Sequence, residues 1–272
     1  MRRAIGQYLR VDVAPHAIAV QRATRWRWKV RAGAAGALAG APGGGEALAA
    51  QAIAPSGDHP FDAIANALRA VLGELDVAGW PASFVLADEL TRMWRVTPPP
   101  GAARMADLEA AAGLRFQSLY GEAPAAWQLS ADWNATHPFF AAAVPRALLA
   151  ALSGAAKDHK LAIVAIEPRF VSAWNQSRRR LKQGAWYGHI HDNLLTLAAT
   201  EADGQRLRAI RPLPIPHGAD HGWLTQTLQR EALLLDMQAP SLLQVSGSVP
   251  VSWAQPVANA AHIPCALLGA AR

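Results

Sequence analysis

Cysteine is almost missing from this chain, with Cys265 the one residue of its kind. A single thiol excludes an internal disulfide and any zinc site built on cysteines alone, and it points to a reducing compartment. Long hydrophobic runs are missing too. The most apolar stretch, Phe139 to Leu152, is broken by Pro145 and Arg146 and falls short of the ~20 residues a membrane helix needs. The opening MRRAIGQYLR is basic but has no apolar run behind it, so it makes a poor signal peptide. A soluble, cytoplasmic protein is expected. Several signatures of catalysis are also missing. There is no Gly-x-x-x-x-Gly-Lys-Ser/Thr phosphate loop, no Gly-x-Ser-x-Gly elbow and no His-Glu-x-x-His helix.

What the chain does have is apolar mass and positive charge. Its 272 residues are 51% hydrophobic, enough for a sizeable core in one large domain or two linked lobes. The net charge of +6 favours acidic partners. Arg25, Arg27, Lys29 and Arg31 alternate with Trp26, Trp28 and Val30, which at strand periodicity gives one cationic and one apolar face. Arg178, Arg179, Arg180 and Lys182 form a second cluster. The plain reading is two solvated edges, and the sharper one is docking sites for something acidic. A nucleic-acid platform fits poorly, because the tryptophans and arginines of a strand point to opposite faces.

Periodicity then lays out the elements. Leu9–Val13, Ala17–Arg22 and Arg25–Arg31 read as strands. The loop-like GAAGALAGAPGGG and an extended piece over Ala47–Ala54 follow. An amphipathic helix begins near Phe61, with Pro60 in its first turn. Ser83–Ala87 is a strand, and Met105 to Leu119 is a helix whose inner face carries Met105, Leu108, Ala112, Phe116 and Leu119. Strands are expected over Ala126–Ala131 and Phe139–Val144, then a helix from Pro145 to about His159. Strand Leu161–Ile166 is expected to stop at Glu167-Pro168, ahead of a helix through Phe170 and Trp174.

The second half repeats the opening. Ala185–Ile190 and Leu194–Thr200 are strands joined by the polar turn His191–Asn193, and Arg206–Pro214 is a third. A helix from about Gly222 to Met237 has Asp220 as its N-cap. Leu242–Val245 leads into Ser246-Gly247-Ser248, and Cys265–Leu268 is the last strand, with its thiol read as buried and structural. Duplicated hairpins plus helices imply two α/β lobes with mixed sheets. His189 and His191, with His217 and His221 further on, suggest a metal hydrolase barrel, but too little chain follows for that fold and turn histidines explain them better. No metal site is expected.

Four phrases carry a resemblance: LRVDVAPHAIAV, ASFVLADELTRMWRVTPPP, RALLAALSGAAKDHKLAIVAIEPRFVSAWN and LLQVSGSVP. With this element order, the chain resembles the actin-like ATPase superfamily, and more narrowly the PilM-type pilus assembly proteins and the cytoplasmic domain of GspL-type secretion proteins. The resemblance implies an actin-like, ribonuclease H-like fold with duplicated lobes. The first would span 1–168, including an inserted subdomain at about 93–144, and the second 169–272. It also implies a first phosphate turn of the type Asp-x-Gly-Ser-Ser-Ser-x-Lys. Here Asp12 is kept, but the glycine is Ala14, the hydroxyls are Pro15, His16 and Ala17, and the lysine is Ala19. A Cβ at Ala14 crowds a phosphate, Pro15 lacks an N–H, and Ala19 carries no charge. In the second turn, His189 and His191 stand where the family has aspartate and glycine, followed by Asp192. In the adenosine-side loop Gly247 is kept and Ser248 replaces a second glycine.

Asp12, His16, Asp192, Gly247 and Ser248 are therefore the remnant of a nucleotide cleft, with no catalytic residue and no cofactor expected. ATP with magnesium is the disfavoured alternative, in which the chain is an ATP-binding or ATP-hydrolysing switch with altered loops. The resemblance implies a non-catalytic adaptor of a type IV pilus or type II secretion inner-membrane platform. Its partner would be the PilN-like cytoplasmic tail of a single-pass membrane protein. Arg25, Arg27, Lys29, Arg31 and Arg178 to Arg180 are the candidate contacts for a partner or an anionic membrane surface. A homodimer is left open.

Overall fold

A computed structural model of the chain describes residues 6–24, 45–54, 60–102, 104–201, 206–254 and 262–268. The cationic strand expected over Arg25–Arg31, with Arg25, Arg27, Lys29 and Arg31, lies outside them, as does the glycine-rich stretch apart from Gly45. The described residues fall into two compact units that divide between Arg169 and Phe170.

The first unit is built on a five-stranded mixed sheet. Strands β1 (Gln7–Val13), β2 (Ala17–Thr24) and β3 (Glu46–Ala52) form an antiparallel meander. Helix α1 (Pro60–Gly73) follows, with proline at its first position, and strand β4 (Pro81–Leu86) returns parallel to β1. The sheet order is β3-β2-β1-β4-β8, where β8 is Ala162–Pro168. Leu9, Val11 and Val13 of β1 alternate onto one face. There they join Ile64, Leu68 and Leu72 of α1, and Leu148 and Leu152 of α3 (Arg146–Asp158), in one core. The proline at 168 does not stop the strand, as β8 continues through Glu167 and Pro168, paired with Val85 and Leu86. Proline biases its predecessor against helix, not against strand, and β8 is the last strand of the described sheet, where a missing donor costs no ladder bond.

Between β4 and α3 lies a smaller sheet, ordered β5-β7-β6 (Arg92–Val96, Phe139–Pro145 and Trp127–Ala131), with helix α2 (Met105–Tyr120) packed on one face. Strand β5 was not expected from the sequence. Its inward side carries Arg92 beside Trp94 and Val96, and a charge at an inward position hides the alternation. Arg92 sits there because its guanidinium lies over the rings of Tyr120 and Trp127, at 5.6 and 5.3 Å. The buried stripe of α2 is Leu108, Ala112 and Phe116. Met105 and Leu119, expected inside, are 51% and 45% exposed, because so short a sheet covers only the middle turns of the helix.

The second unit repeats the plan of the first. Strands β9 (Ala185–His191), β10 (Leu194–Thr200) and β11 (Leu207–Pro214) form an antiparallel meander. Helix α5 (His221–Leu234) follows, capped as expected by Asp220, whose Oδ1 accepts from the Trp223 N–H at 2.8 Å. Strands β12 (Leu242–Gly247) and β13 (Cys265–Leu267) run parallel to β9, giving the order β11-β10-β9-β12-β13. Trp186, Leu195, Leu224, Leu228, Leu243 and Trp253 fill the core between sheet and helix. Helix α4 (Arg169–Ser177) enters this unit.

Cys265 on β13 is half-buried rather than fully buried. Burial still pushes its thiol up from 9.0 to about 12. A folded thiol that holds its proton more tightly than the unfolded one adds stability below the ordinary value, and that contribution is lost as the pH climbs from there towards 12. We expect a disulfide reagent at about pH 8 to label the native protein at least tenfold more slowly than the urea-unfolded chain. Equal labelling rates would contradict the burial assigned to Cys265.

Candidate functional site

In the first unit the candidate residues gather around the end of β1. Asp12 and Arg10 are two apart, so both leave β1 on the face opposite Leu9, Val11 and Val13. Arg10 folds along the strand onto the carboxylate. Its Nη2 donates to Asp12 Oδ1 at 3.0 Å and its Nε to Oδ2 at 3.0 Å. Arg169, at the start of α4 directly after β8, brings its Nη1 within 3.0 Å of the same Oδ1. All three residues are buried, at 7–8% exposure. Burial alone would lower the affinity of Arg10 for its proton, but the hydrogen bond and charge of Asp12 outweigh it and the guanidinium is held above its usual value. The arrangement neutralises one carboxylate twice over.

The turn after β1 is closed on itself. The Ala14 N–H donates to the Ala17 carbonyl at 2.8 Å, and the Ile53 N–H donates to the His16 carbonyl at 2.7 Å. Ala14 is buried, while Pro15 and His16 are exposed. The donor that a phosphate would need from Ala14 is therefore spent, and Pro15 has none.

In the second unit the β9–β10 hairpin turns through Asp192 and Asn193, with Asp192 at φ +51°. His191 Nε2 lies 3.3 Å from Asp192 Oδ2. His189 is buried, and its Nδ1 is 3.0 Å from Ser246 Oγ on β12. The same hydroxyl bonds the Tyr187 phenol at 2.6 Å, and Ser177 Oγ donates to that phenol at 3.4 Å. The two histidines that suggest a metal pair thus serve different partners. Gly247 sits opposite Ile190 at φ +92°, where an added Cβ would stand 1.9 Å from the Ile190 carbonyl oxygen. Its glycine is demanded by the sheet itself, whatever else the loop does. Ser248 is exposed, and its N–H donates to that same carbonyl at 2.9 Å.

Asp12 and His16 therefore belong to the first unit, and Asp192, Gly247 and Ser248 meet at one end of the second sheet. Arg178, Arg179 and Arg180 form an exposed 3-10 turn. It is anchored where the Lys182 N–H donates to Gln244 Oε1 at 2.6 Å. Sequence reasoning missed Arg10, Arg169, Tyr187 and Ser246. The first had a signal in the spacing Arg-x-Asp on a strand, whereas the other three meet their partners only through strand pairing.

These residues do not fit a magnesium triphosphate. Magnesium is held through free carboxylate oxygens, and both oxygens of Asp12 are taken by guanidiniums whose charge repels a cation. At the end of β9 the imidazole of His189 is engaged with Ser246.

Removing Asp12 would leave two buried guanidiniums facing each other, so Asp12→Ala should cost about 3–5 kcal/mol in urea unfolding. A loss within error of zero would show that the cluster is not structural. Gly247→Ala should cost about 2 kcal/mol or more by the same measurement, through the forbidden contact and the positive φ.

No protein-family model matches the chain, and no curated protein does either. Solved structures do match. The cytoplasmic domain of EpsL, an inner membrane component of the type II secretion system of Vibrio cholerae, superposes with a TM-score of 0.56 at 12% identity, over 90% of this chain and 83% of that one. A Bacteroides thetaiotaomicron protein with an actin-like ATPase fold and unknown function gives 0.56 at 8% identity, over 90% and 84%. The PilM–PilN type IV pilus biogenesis complex gives 0.55 at 12% identity, over 88% and 80%. At such low identity the likeness speaks for architecture, and the duplicated meander–helix–strand plan agrees with it: the chain has the actin-like ATPase fold.

Proposed function

We propose that this chain is a scaffold without nucleotide chemistry, serving the inner-membrane platform of a type II secretion or type IV pilus system. In this reading it is cytoplasmic, lies against the inner membrane, and binds the cytoplasmic tail of a membrane partner like PilN. The system is supported by the likeness to the EpsL cytoplasmic domain and to the PilM–PilN complex. Among the described residues no helix is long and apolar enough to cross a membrane. The exposed Arg178–Arg180 turn, held by Gln244, offers a cationic patch for an anionic leaflet.

One observation carries the scaffold reading over an ATP-driven switch. Asp12, the residue a switch would use to handle magnesium or water, is buried between Arg10 and Arg169. Calorimetric titration with magnesium and ATP should give no saturable binding up to about millimolar nucleotide. Saturation in the micromolar range would replace the scaffold with the switch. Co-expression with the inner-membrane subunits of such a platform should recover a single-pass subunit with this chain on purification. Recovery of none of them would remove the assignment to these systems.

A further inference from the structure

Each of the three described sheets has two edges, and all but one of these edges are guarded. An edge strand shows a row of backbone groups that invites another strand, and bulges, prolines, charges or shortness discourage it. Strand β3 carries a bulge at Leu48, β8 one at Val164 and β11 one at Arg208, so the register breaks among the described residues all fall on edge strands. In addition β8 ends in Pro168, and β11 holds Pro212 and Pro214. Strand β13 is three residues long, and β5 carries Arg92 and Arg95. Only β6 has none of these devices among the described edges. It pairs with β7 in unbroken register over Trp127–Ala131 and contains no charge and no proline.

The pairing with β7 fixes which groups this edge offers. The Asp132 N–H donates to the Phe140 carbonyl at 3.1 Å, and bonded pairs alternate along an antiparallel ladder. Gln128, Ser130 and Asp132 therefore turn their backbone groups to β7, while Leu129 and Ala131 turn theirs to the open edge. The Leu129 carbonyl accepts from the Gln128 side-chain amide at 3.3 Å, a long bond where an inner strand would have a ladder bond.

Charge selects the occupant. Arg146 is exposed and lies beside the start of β6, where its Nη1 donates to Gln128 Oε1 at 2.7 Å and its Nε to the Ala125 carbonyl at 3.1 Å. Asp132, also exposed, follows the end of β6 on the same face as Gln128 and Ser130. A cation at one end and an anion at the other make this edge its own complement, since a two-fold axis lays each end against the opposite end of a copy. We propose that β6 pairs antiparallel with β6 of a second copy of this chain, joining the two small sheets into one. One register sets Gln128, with the Arg146 guanidinium on it, opposite Asp132 of the second copy. The same register puts Ser130 on the two-fold axis, Leu129 opposite Ala131 and Trp127 opposite Trp133. Polar and apolar faces then both continue across the junction. Leu129 and Ala131 exchange their outward N–H and C=O groups with those of the second copy.

Sedimentation of the whole chain from about 1 to 200 µM should show a reversible dimer with a dissociation constant of roughly 10–100 µM, because two five-residue strands make a small interface. Ser130→Lys should weaken it about tenfold or more, by setting two ammonium groups face to face on the axis. Ser130 is exposed, so this change leaves the fold intact. Ala131→Pro should also weaken the dimer, since it removes an outward N–H and no bond to β7. Asp132→Arg and Arg146→Glu should each weaken it, and the two together should restore it, because the ends are again opposite in charge. In a Cys265→Ala background, Ser130→Cys should give a disulfide-linked dimer with copper phenanthroline, as the axis brings its two Cα atoms to about 4.5 Å. Gln128→Cys, which faces residue 132 of the copy, should not. The proposal is overturned if the chain stays monomeric over this range, which would leave β6 to an extended segment of another protein. It is overturned equally if Ser130→Lys dimerises like the parent, or if Gln128→Cys crosslinks as readily as Ser130→Cys.

Discussion

Asp12 accepts from two guanidiniums, with Arg10 Nη2 and Arg169 Nη1 each 3.0 Å from its Oδ1. Three charges taken from water cost several kcal/mol each, and their mutual bonding offsets that cost. The cluster therefore constrains everything attached to it. It fixes which face of β1 is polar, and so which face turns its leucine and valines to α1 and α3. It ties the end of β8, through Arg169, to the strand two places away in the sheet. It also occupies the carboxylate that gives the β1–β2 hairpin its likeness to a phosphate turn.

The second unit follows the same division of labour with different chemistry. Trp186 and Ile190 of β9 face the α5 side, while Tyr187 and His189 face the other way and bond Ser246. Here the buried polar face is made of hydroxyls and an imidazole. In both units the strand whose C-terminal end carries the turn residues is the central one, buried on both faces. Polar side chains there must be partnered within the sheet, and once partnered they are not at a ligand's disposal.

Much of the fold was legible because it rests on local signals. The three-and-four spacing of α1, proline at 60, the Asp220 cap, the alternation of β1 and the largely apolar run of β10 need no knowledge of neighbours. Local rules failed where a neighbour changes what a residue means. Arg92 looks like a surface charge until Tyr120 and Trp127 stand under it. Met105 and Leu119 fit the helical stripe of α2 but lie beyond the strands that would cover them. Pro168 looks like a terminator, yet at the edge of the described sheet its missing N–H is no loss. Gly247 looks like a relic of a nucleotide loop, although the Ile190 carbonyl alone leaves room for nothing larger.

The sequence by itself determined most of the element order, β5 excepted, the duplicated α/β plan and the absence of glycine, lysine and a hydroxyl run from the turn after Asp12. Each of these depends on residue type and spacing along one stretch of chain. Only the tertiary structure decided what Asp12 bonds. Arg169 stands 157 positions from Asp12 in the numbering, and His189 stands 57 from Ser246. A partner at that separation is chosen by which strands lie side by side, and strand pairing is a property of the folded sheet.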